Sequence, residues 1–241
     1  MKRLLAWVLA VLVAAGAAAG QYNTSVSIPF SWMILDGTGN PITDASPTIA
    51  YKRLTDGYWW VEIGSEFDII AEREKNRHKL MGYLHGVWDY IKNSGKFPES
   101  ANYALEWVGS LPGRRESRRF IGDYILSERD LTEHRHFEDA VAYGGWSLDE
   151  HNPGGIENLK EPPSYFHENF AQVYEIPYRC LYSKNIANLF FAGRNISQTH
   201  IALSSSRVMA TCATMGQAVG TAAALCVKKG VLPRDIAQRY I

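Results

Sequence analysis

The sequence predicts an α/β or α+β fold: a mixed sheet with helices on the substrate side, then the closing strand and helix of a second layer. Three observations carry this. Short apolar runs that end at Gly, Pro or Asp recur through the first half, as half-buried strands do. One long segment, 65–93, repeats its apolar residues with a helical period. Near the end, Asn188-Leu189-Phe190-Phe191-Ala192-Gly193 reads as a buried strand and glycine turn, followed by an Ala-rich helix from Arg207 to Ala224.

Taken in order, Lys2-Arg3 precede an apolar run from Leu4 to Val13, and Ala14 to Gly20 are all small. This is the layout of a secretory signal peptide, so residues 1–20 are expected to be a leader. The run is short for a bilayer span. Export or a periplasmic location follows if the leader is genuine, and a cytoplasmic one if it is not. Trp32 to Asp36, Thr48 to Leu54 and Tyr58 to Ile63 read as strands between Gly-, Pro- and Asp-containing turns. Ser65 and Asp68 form a capping pair for a helix reaching about Asn93. Phe67, Ile70, Met81, Leu84, Trp88 and Ile91 mark its apolar face, and Gly95 and Pro98 end it.

Leu105 to Ser110 and Phe120 to Leu126 read as strands on either side of an arginine-rich turn. Ser127-Glu128-Arg129-Asp130 reads as a helix start and Ala140 to Tyr143 as a short strand. Residues 147–170, rich in Pro, Gly, Asn and Glu, are expected to form a long loop or lid. A polar loop is expected between Gly193 and the Ala-rich helix, whose start Ser204, Ser205 and Ser206 are placed to cap.

Composition bounds the function. Twenty-five basic and 25 acidic side chains in 241 residues give no pointer to nucleic acid, and the length suits one large domain or two small ones. Three scattered cysteines are too few for a four-cysteine cluster or structural zinc site, so buried free thiols are expected at Cys180, Cys212 and Cys226. His134 and His136 sit two apart, which on a helix points them to different faces, and no metal site is assigned.

Arg114, Arg115, Arg118 and Arg119 flank Glu116 and Ser117. Guanidinium pairs grip carboxylates or phosphates, so Arg115 and Arg118 are candidates for an anionic substrate; a solvated, salt-bridged turn is the alternative. His200 is the best acid/base candidate, because histidine titrates near neutral pH, and Arg207 lies seven residues on. A hydrogen-bonded structural histidine stands beside that reading. Gly193 allows a sharp turn or close ligand approach, and Gly216 and Gly220 share a helix face. Ordinary tight α/β packing would use the same residues.

The segment from Ile176-Pro177-Tyr178-Arg179-Cys180 to Ala224 resembles the C-terminal end of an FAD-dependent oxidoreductase family, distantly similar to the flavin subunit of heterodisulfide reductase. The most specific run is Phe191-Ala192-Gly193-Arg194-Asn195-Ile196-Ser197, with His200 behind it and Gly216-Gln217-Ala218 further on. Earlier blocks follow in family order, among them Tyr58-Trp59-Trp60-Val61-Glu62, Gly86-Val87-Trp88-Asp89, Leu111 to Arg119, and Phe137 to Trp146. The resemblance implies FAD as cofactor, with Gly193, Arg194 and Asn195 near its ribityl or phosphate part and Thr211, Met215, Gly216 and Gln217 on the helix that approaches the flavin ring.

Relatives hold the FAD pyrophosphate on a strand, Gly-x-Gly-x-x-Gly turn and helix. No such fingerprint occurs in these 241 residues; Gly37-Thr38-Gly39-Asn40 comes nearest, and Pro41 follows at once. The expected organisation is therefore a leader (1–20), a substrate-side region (21–186) and the C-terminal part of an FAD-binding domain (187–241). A separate dinucleotide-binding chain is the implied partner, beside a small-molecule substrate. The alternative is an exported, non-catalytic binding or structural remnant of a flavoprotein.

Overall fold

The computed structural model describes residues 26–27, 30–34, 61–63 and 68–241, except 117, 159, 163 and 168; of 26–27 and 30–34 it describes the backbone. The described residues form two compact units. One, the N-terminal unit, takes Asn23–Arg115 and His151–Pro163; the other, the C-terminal unit, takes Glu116–Glu150 and Ser164–Ile241. Helices with small antiparallel sheets make up both, as the fold class expects.

In the N-terminal unit β1 (Val26–Ser27) lies between β3 (Glu62–Ile63) and β5 (Gly113–Arg114), antiparallel to each, with Val26 opposite Ile63 on one side and Arg114 on the other. β2 (Phe30–Ile34) pairs with β4 (Tyr103–Val108), and the register shifts between Ser31 and Trp32. Both begin two residues before the expected strands. The strand expected at Thr48 to Leu54, and residues 58–60 of the next, lie outside the described residues.

α1 (Arg73–Asn93) starts well after Ser65, itself outside the described residues. Asp68 explains the late start. Its Oδ1 accepts from the Ile70 and Ala71 N–H groups at 2.9 and 3.0 Å, and its carbonyl accepts from Glu72 N–H, closing a separate turn ahead of the helix. Leu80 and Leu84 of α1 pack with Ile63 and Ile69, all buried, and each such side chain contributes about 1.5–3 kcal/mol. At the other end, Lys92 Nζ donates to the carbonyls of Ser100, Ala101 and Tyr103, each at 2.8 Å, tying the turn at Pro98–Asn102 to the last helical turn. The returning segment joins this unit through Ile156 N–H, which donates to Glu62 O at 2.8 Å, and through a bridge from Gly155 to Ile63.

The C-terminal unit contains α2 (Glu128–Thr132), β6 (Ala140–Gly144), β7 (Asp149–His151, whose last residue belongs to the returning segment), β8 (Ser164–Phe166), β9 (Tyr174–Pro177), α3 (His200–Ser206), α4 (Met209–Lys229) and α5 (Pro233–Arg239). β6 and β9 pair antiparallel, with Ala142 opposite Ile176 and Gly144 opposite Tyr174. α4 packs on β6 and α5 on α4. Leu126, Leu131, Ile176, Cys180, Leu181, Ile196 and Met215 form the centre of the core.

Four expectations are corrected here. Phe120 to Leu126 is irregular apart from a single bridge from Leu126 to Gln198: its N–H groups donate to carbonyls of Asn195 and Ser197 in a loop and of Arg179 in a single 3-10 turn, which offer no ladder. The apolar run at Asn188 to Phe191 makes a single bridge, Phe190 to Tyr182, instead of a strand. The lid region contains β7 and β8. Finally, the polar loop before the Ala-rich helix contains α3, and α4 begins at Met209, two residues after the expected start.

Candidate functional site

The cofactor and acid/base candidates read from the sequence lie on the stretch from Gly193 to α4, and the two arginine candidates lie outside it. Gly193 has φ of 100°, a conformation that side-chain-bearing residues rarely adopt, and the space around its Cα is open apart from the Asn195 side chain. The loop after it is clamped on both sides: Phe120 N–H donates to Asn195 O, Ser197 N–H to Cys180 O, and Thr199 N–H to Leu126 O, at 2.8–3.1 Å. Thr199 then caps α3. Its hydroxyl accepts from Ala202 N–H at 3.2 Å and donates to Glu128 Oε2 at 3.0 Å.

His200 is the first residue of α3, and Glu116 is brought to it from 84 residues away. Nδ1 lies 2.5 Å from Glu116 Oε2, and the other Glu116 oxygen pairs with the Arg119 guanidinium. The Glu116 and Arg119 side chains are 1% and 5% exposed, whereas that of His200 is 41% exposed. Burial of Glu116 as an ion is tolerable because two partners replace its water. Among the described residues the Nδ1 contact is the hydrogen bond made by the His200 ring, and the ring edge that carries Nε2 remains for another group.

The three serines of α3 do not cap α4. Ser204 bonds to Ile201 O and accepts from Asp149 N–H, Ser205 bonds to Trp146 O and Tyr174 OH, and Ser206 to Gln198 Oε1, all buried. Val208 is the N-cap instead and has no side-chain bond. Arg207 ends α3 and donates to Asp149 O at 2.9 Å. Seven residues of helix separate it from His200, roughly 10 Å along the axis.

The remaining expected residues are placed as follows. Gly193, Arg194 and Asn195 are half-buried on the loop. Gly216 and Gln217 are exposed on α4, and a Cβ at Gly216 or Gly220 would meet nothing within 4 Å. Thr211 and Met215 are buried, and Met215 belongs to the core. Arg115 lies in the N-terminal unit, 2.8 Å from Glu62 Oε1, the atom that also lies 2.9 Å from His151 Nδ1. Arg118 lies in the C-terminal unit and is exposed.

Nearby groups are tuned by burial. Burial, helped by Asp130, pushes the Tyr124 hydroxyl up to about 12, and burial, opposed by the Ser205 hydrogen bond, does the same for Tyr174. Burial also raises the Cys212 thiol, with Arg194 opposing it. Cys180, Cys212 and Cys226 are free thiols. His136 Nδ1 lies 3.2 Å from Glu175, and the His134 ring meets Phe170 edge to face.

A family model described as FAD dependent oxidoreductase matches residues 13–241, nearly the whole chain. The chain belongs to the FAD-dependent oxidoreductase family. No curated protein and no solved structure matches it. The match starts inside the apolar run of residues 1–20. The residues present suit part of the family's cofactor: a Cβ-free turn at Gly193 and a helix face cleared at Gly216 and Gly220 leave backbone open to a flat or phosphorylated group. The Gly-x-Gly-x-x-Gly that grips a pyrophosphate is not in the sequence. Glu116 and Arg119 were the residues sequence reasoning passed over. Their signal was a lone acid within a cluster of arginines, read as part of an anion-binding turn and found to be the support of His200.

Proposed function

We propose that this chain supplies the flavin-ring side of an FAD-dependent oxidoreductase, and that the pyrophosphate is held by a strand, glycine turn and helix outside these 241 residues, on a separate chain or segment. When bound, FAD supplies the two-electron chemistry. In this reading Gly193, Arg194 and Asn195 hold the ribityl or phosphate part, and Gly216 and Gln217 face the ring while Thr211 and Met215 anchor α4 in the core. His200 exchanges a proton with the substrate. Arg207, the second catalytic candidate, holds the far end of α3 to Asp149, and Arg118, exposed in the same unit, offers its guanidinium to an anionic substrate.

The observation that carries the proposal is the His200 ring, fixed through Nδ1 by a buried carboxylate, half-exposed, and seven residues beyond the Gly193 turn. The order of motif blocks supports a distant kinship with the heterodisulfide reductase flavin subunit. The flavin absorbance spectrum of the purified chain is the test. We expect little FAD on the chain alone and stoichiometric FAD once a chain carrying the glycine fingerprint is added. Stoichiometric FAD on the chain alone would overturn the split. The apolar run of residues 1–20 favours a second reading, an exported non-catalytic remnant. Cleavage after about residue 20 in the exported protein, with no FAD bound even beside the second chain, would select it.

A further inference from the structure

We infer that the groove along α1 in the N-terminal unit binds a flat aromatic acid, its fused rings laid on Gly82 and Gly86 and its carboxylate turned to Lys96. The site needs no FAD and lies in the unit that does not contain His200, so it stands or falls separately from the proposed function.

Gly82 and Gly86 lie inside a 21-residue helix, where glycine weakens the helix relative to alanine. Close packing would explain them, yet a Cβ on either would meet nothing within 4 Å. What they leave is a strip of bare backbone open to the outside. Residues four apart share a helix face, so Gly82, Gly86 and Tyr90 line up, with Tyr83 and Val87 beside them. Phe97, past the end of the helix, and Ile156, from the returning segment, complete a cavity of about 440 Å³. Its walls are held from behind: Tyr83 and Ile156 pack on the buried cluster of Ile63, Leu80 and Leu84, and Val87 and Phe97 on that of Ile91 and Tyr103. The groove is thus formed before a ligand arrives.

Size, shape and charge choose the occupant. The volume falls within the roughly 300–1,000 Å³ of small-molecule sites. From residue 82 to residue 90 the helix rises about 12 Å, room for two or three fused rings and far less than the roughly 20–30 residues a protein partner engages on each side. A floor without Cβ atoms admits a flat body, and the walls are rings. Tyr90 and Phe97 meet edge to face with centroids 6.0 Å apart, and the Tyr83 hydroxyl is spent on Glu157. Charge sets the direction. Beside Tyr83, Glu157 accepts from Lys79 Nζ at 2.7 Å, and its carboxylate disfavours a second anion there. At the other end the exposed Lys96 Nζ lies 5.2 Å from the Tyr90 ring centroid, and among the described residues no carboxylate pairs with it. An acid group on the ligand therefore gains most at the Tyr90 end.

The test is isothermal titration calorimetry of the full-length chain with naphthoate, the neutral naphthylmethanol and the open-chain decanoate. We expect saturable one-to-one binding of naphthoate, about threefold tighter than naphthylmethanol, the worth of one exposed charge pair, and tighter than decanoate. Lys96→Met should make the two naphthyl probes bind alike. Gly86→Leu, whose side chain suits a helix and fills the floor, should weaken both by about tenfold or more, and Gly82→Leu is the second arm should that variant fail to fold. No saturable binding of naphthoate overturns the site, as does unchanged binding in a folded floor variant. Decanoate equal to naphthoate overturns the choice of rings, and a preference for the acid that survives Lys96→Met overturns the choice of an anion. Light scattering that shows the chain pairing with itself, with the pair lost in Gly86→Leu, would make a second copy the occupant and overturn the assignment.

Discussion

At the scale of single residues, a Cβ on Gly122 would run into the carbonyl oxygen of Arg179, lie 3.1 Å from that of Tyr182, and lie 3.2 Å from the Ser197 side chain. Two of these are backbone atoms, one of which, Arg179 O, already accepts from Asp123 and Tyr124 N–H, and they cannot swing aside as a flexible side chain would. Gly122→Ala is therefore expected to destabilise the protein by about 3 kcal/mol in urea unfolding; a loss under about 0.5 kcal/mol would show that the loop yields. Tyr174 is fully buried with its hydroxyl 2.7 Å from Ser205 Oγ, and Tyr174→Phe should cost about 1 kcal/mol in the same experiment, the net worth of one neutral hydrogen bond. His200 was legible as a candidate from its residue type and neighbours. Its partner was not, because nothing local links Glu116 to a residue 84 positions away.

At the scale of elements, α2 shows how much a local signal can specify. Ser127 and Asp130 form a reciprocal capping box, with Asp130 N–H donating to Ser127 Oγ and Ser127 N–H to Asp130 Oδ2. This was readable from four consecutive residues. Burial pushes the Asp130 carboxyl up, but bonds from Ser127, Tyr124 and Arg135 outweigh it, and the group titrates below the ordinary 3.8. A carboxyl lowered in the folded state contributes stability above its unfolded value and loses it as the pH falls through the folded one. The stability gap between wild type and Asp130→Asn should thus be constant from neutral pH down to about 4 and close below that, as urea midpoints measured down the acid range would show. Ser127→Ala should cost about 1 kcal/mol. By contrast, the break between α3 and α4 left little trace in the sequence. Val208 is an N-cap without a capping side chain, and the serines that resemble caps are spent on buried contacts inside α3.

At the scale of the whole molecule, each unit has its own core, and four tyrosines of the C-terminal unit bind their protons more tightly when folded. Tyr124 and Tyr174 are pushed up to about 12, and burial raises Tyr178 and Tyr182 further still. Unfolded tyrosine ionises near 10, so this contribution is complete below about pH 10 and is lost as the pH rises towards the folded values. Tyrosinate absorbance from these rings should appear together with loss of the far-ultraviolet dichroism; ionisation well before unfolding would contradict the burial. α1, the start of α2, α4 and the strands β2, β3, β4 and β6 could be read from local pattern, but α3, α5, the remaining strands and the return of 151–163 to the N-terminal unit could not; the return depends on pairing between residues far apart in the chain. That return also sets an order of events on the ribosome. Ile63 and Glu62 emerge long before Gly155 and Ile156, which bond to them. At about 5–20 residues per second, roughly ninety residues amount to about 5–20 s during which β3 waits with an unpaired edge. The nascent N-terminal unit thus has a timed window of exposure, open to a chaperone or to mispairing, that closes only when the strap arrives.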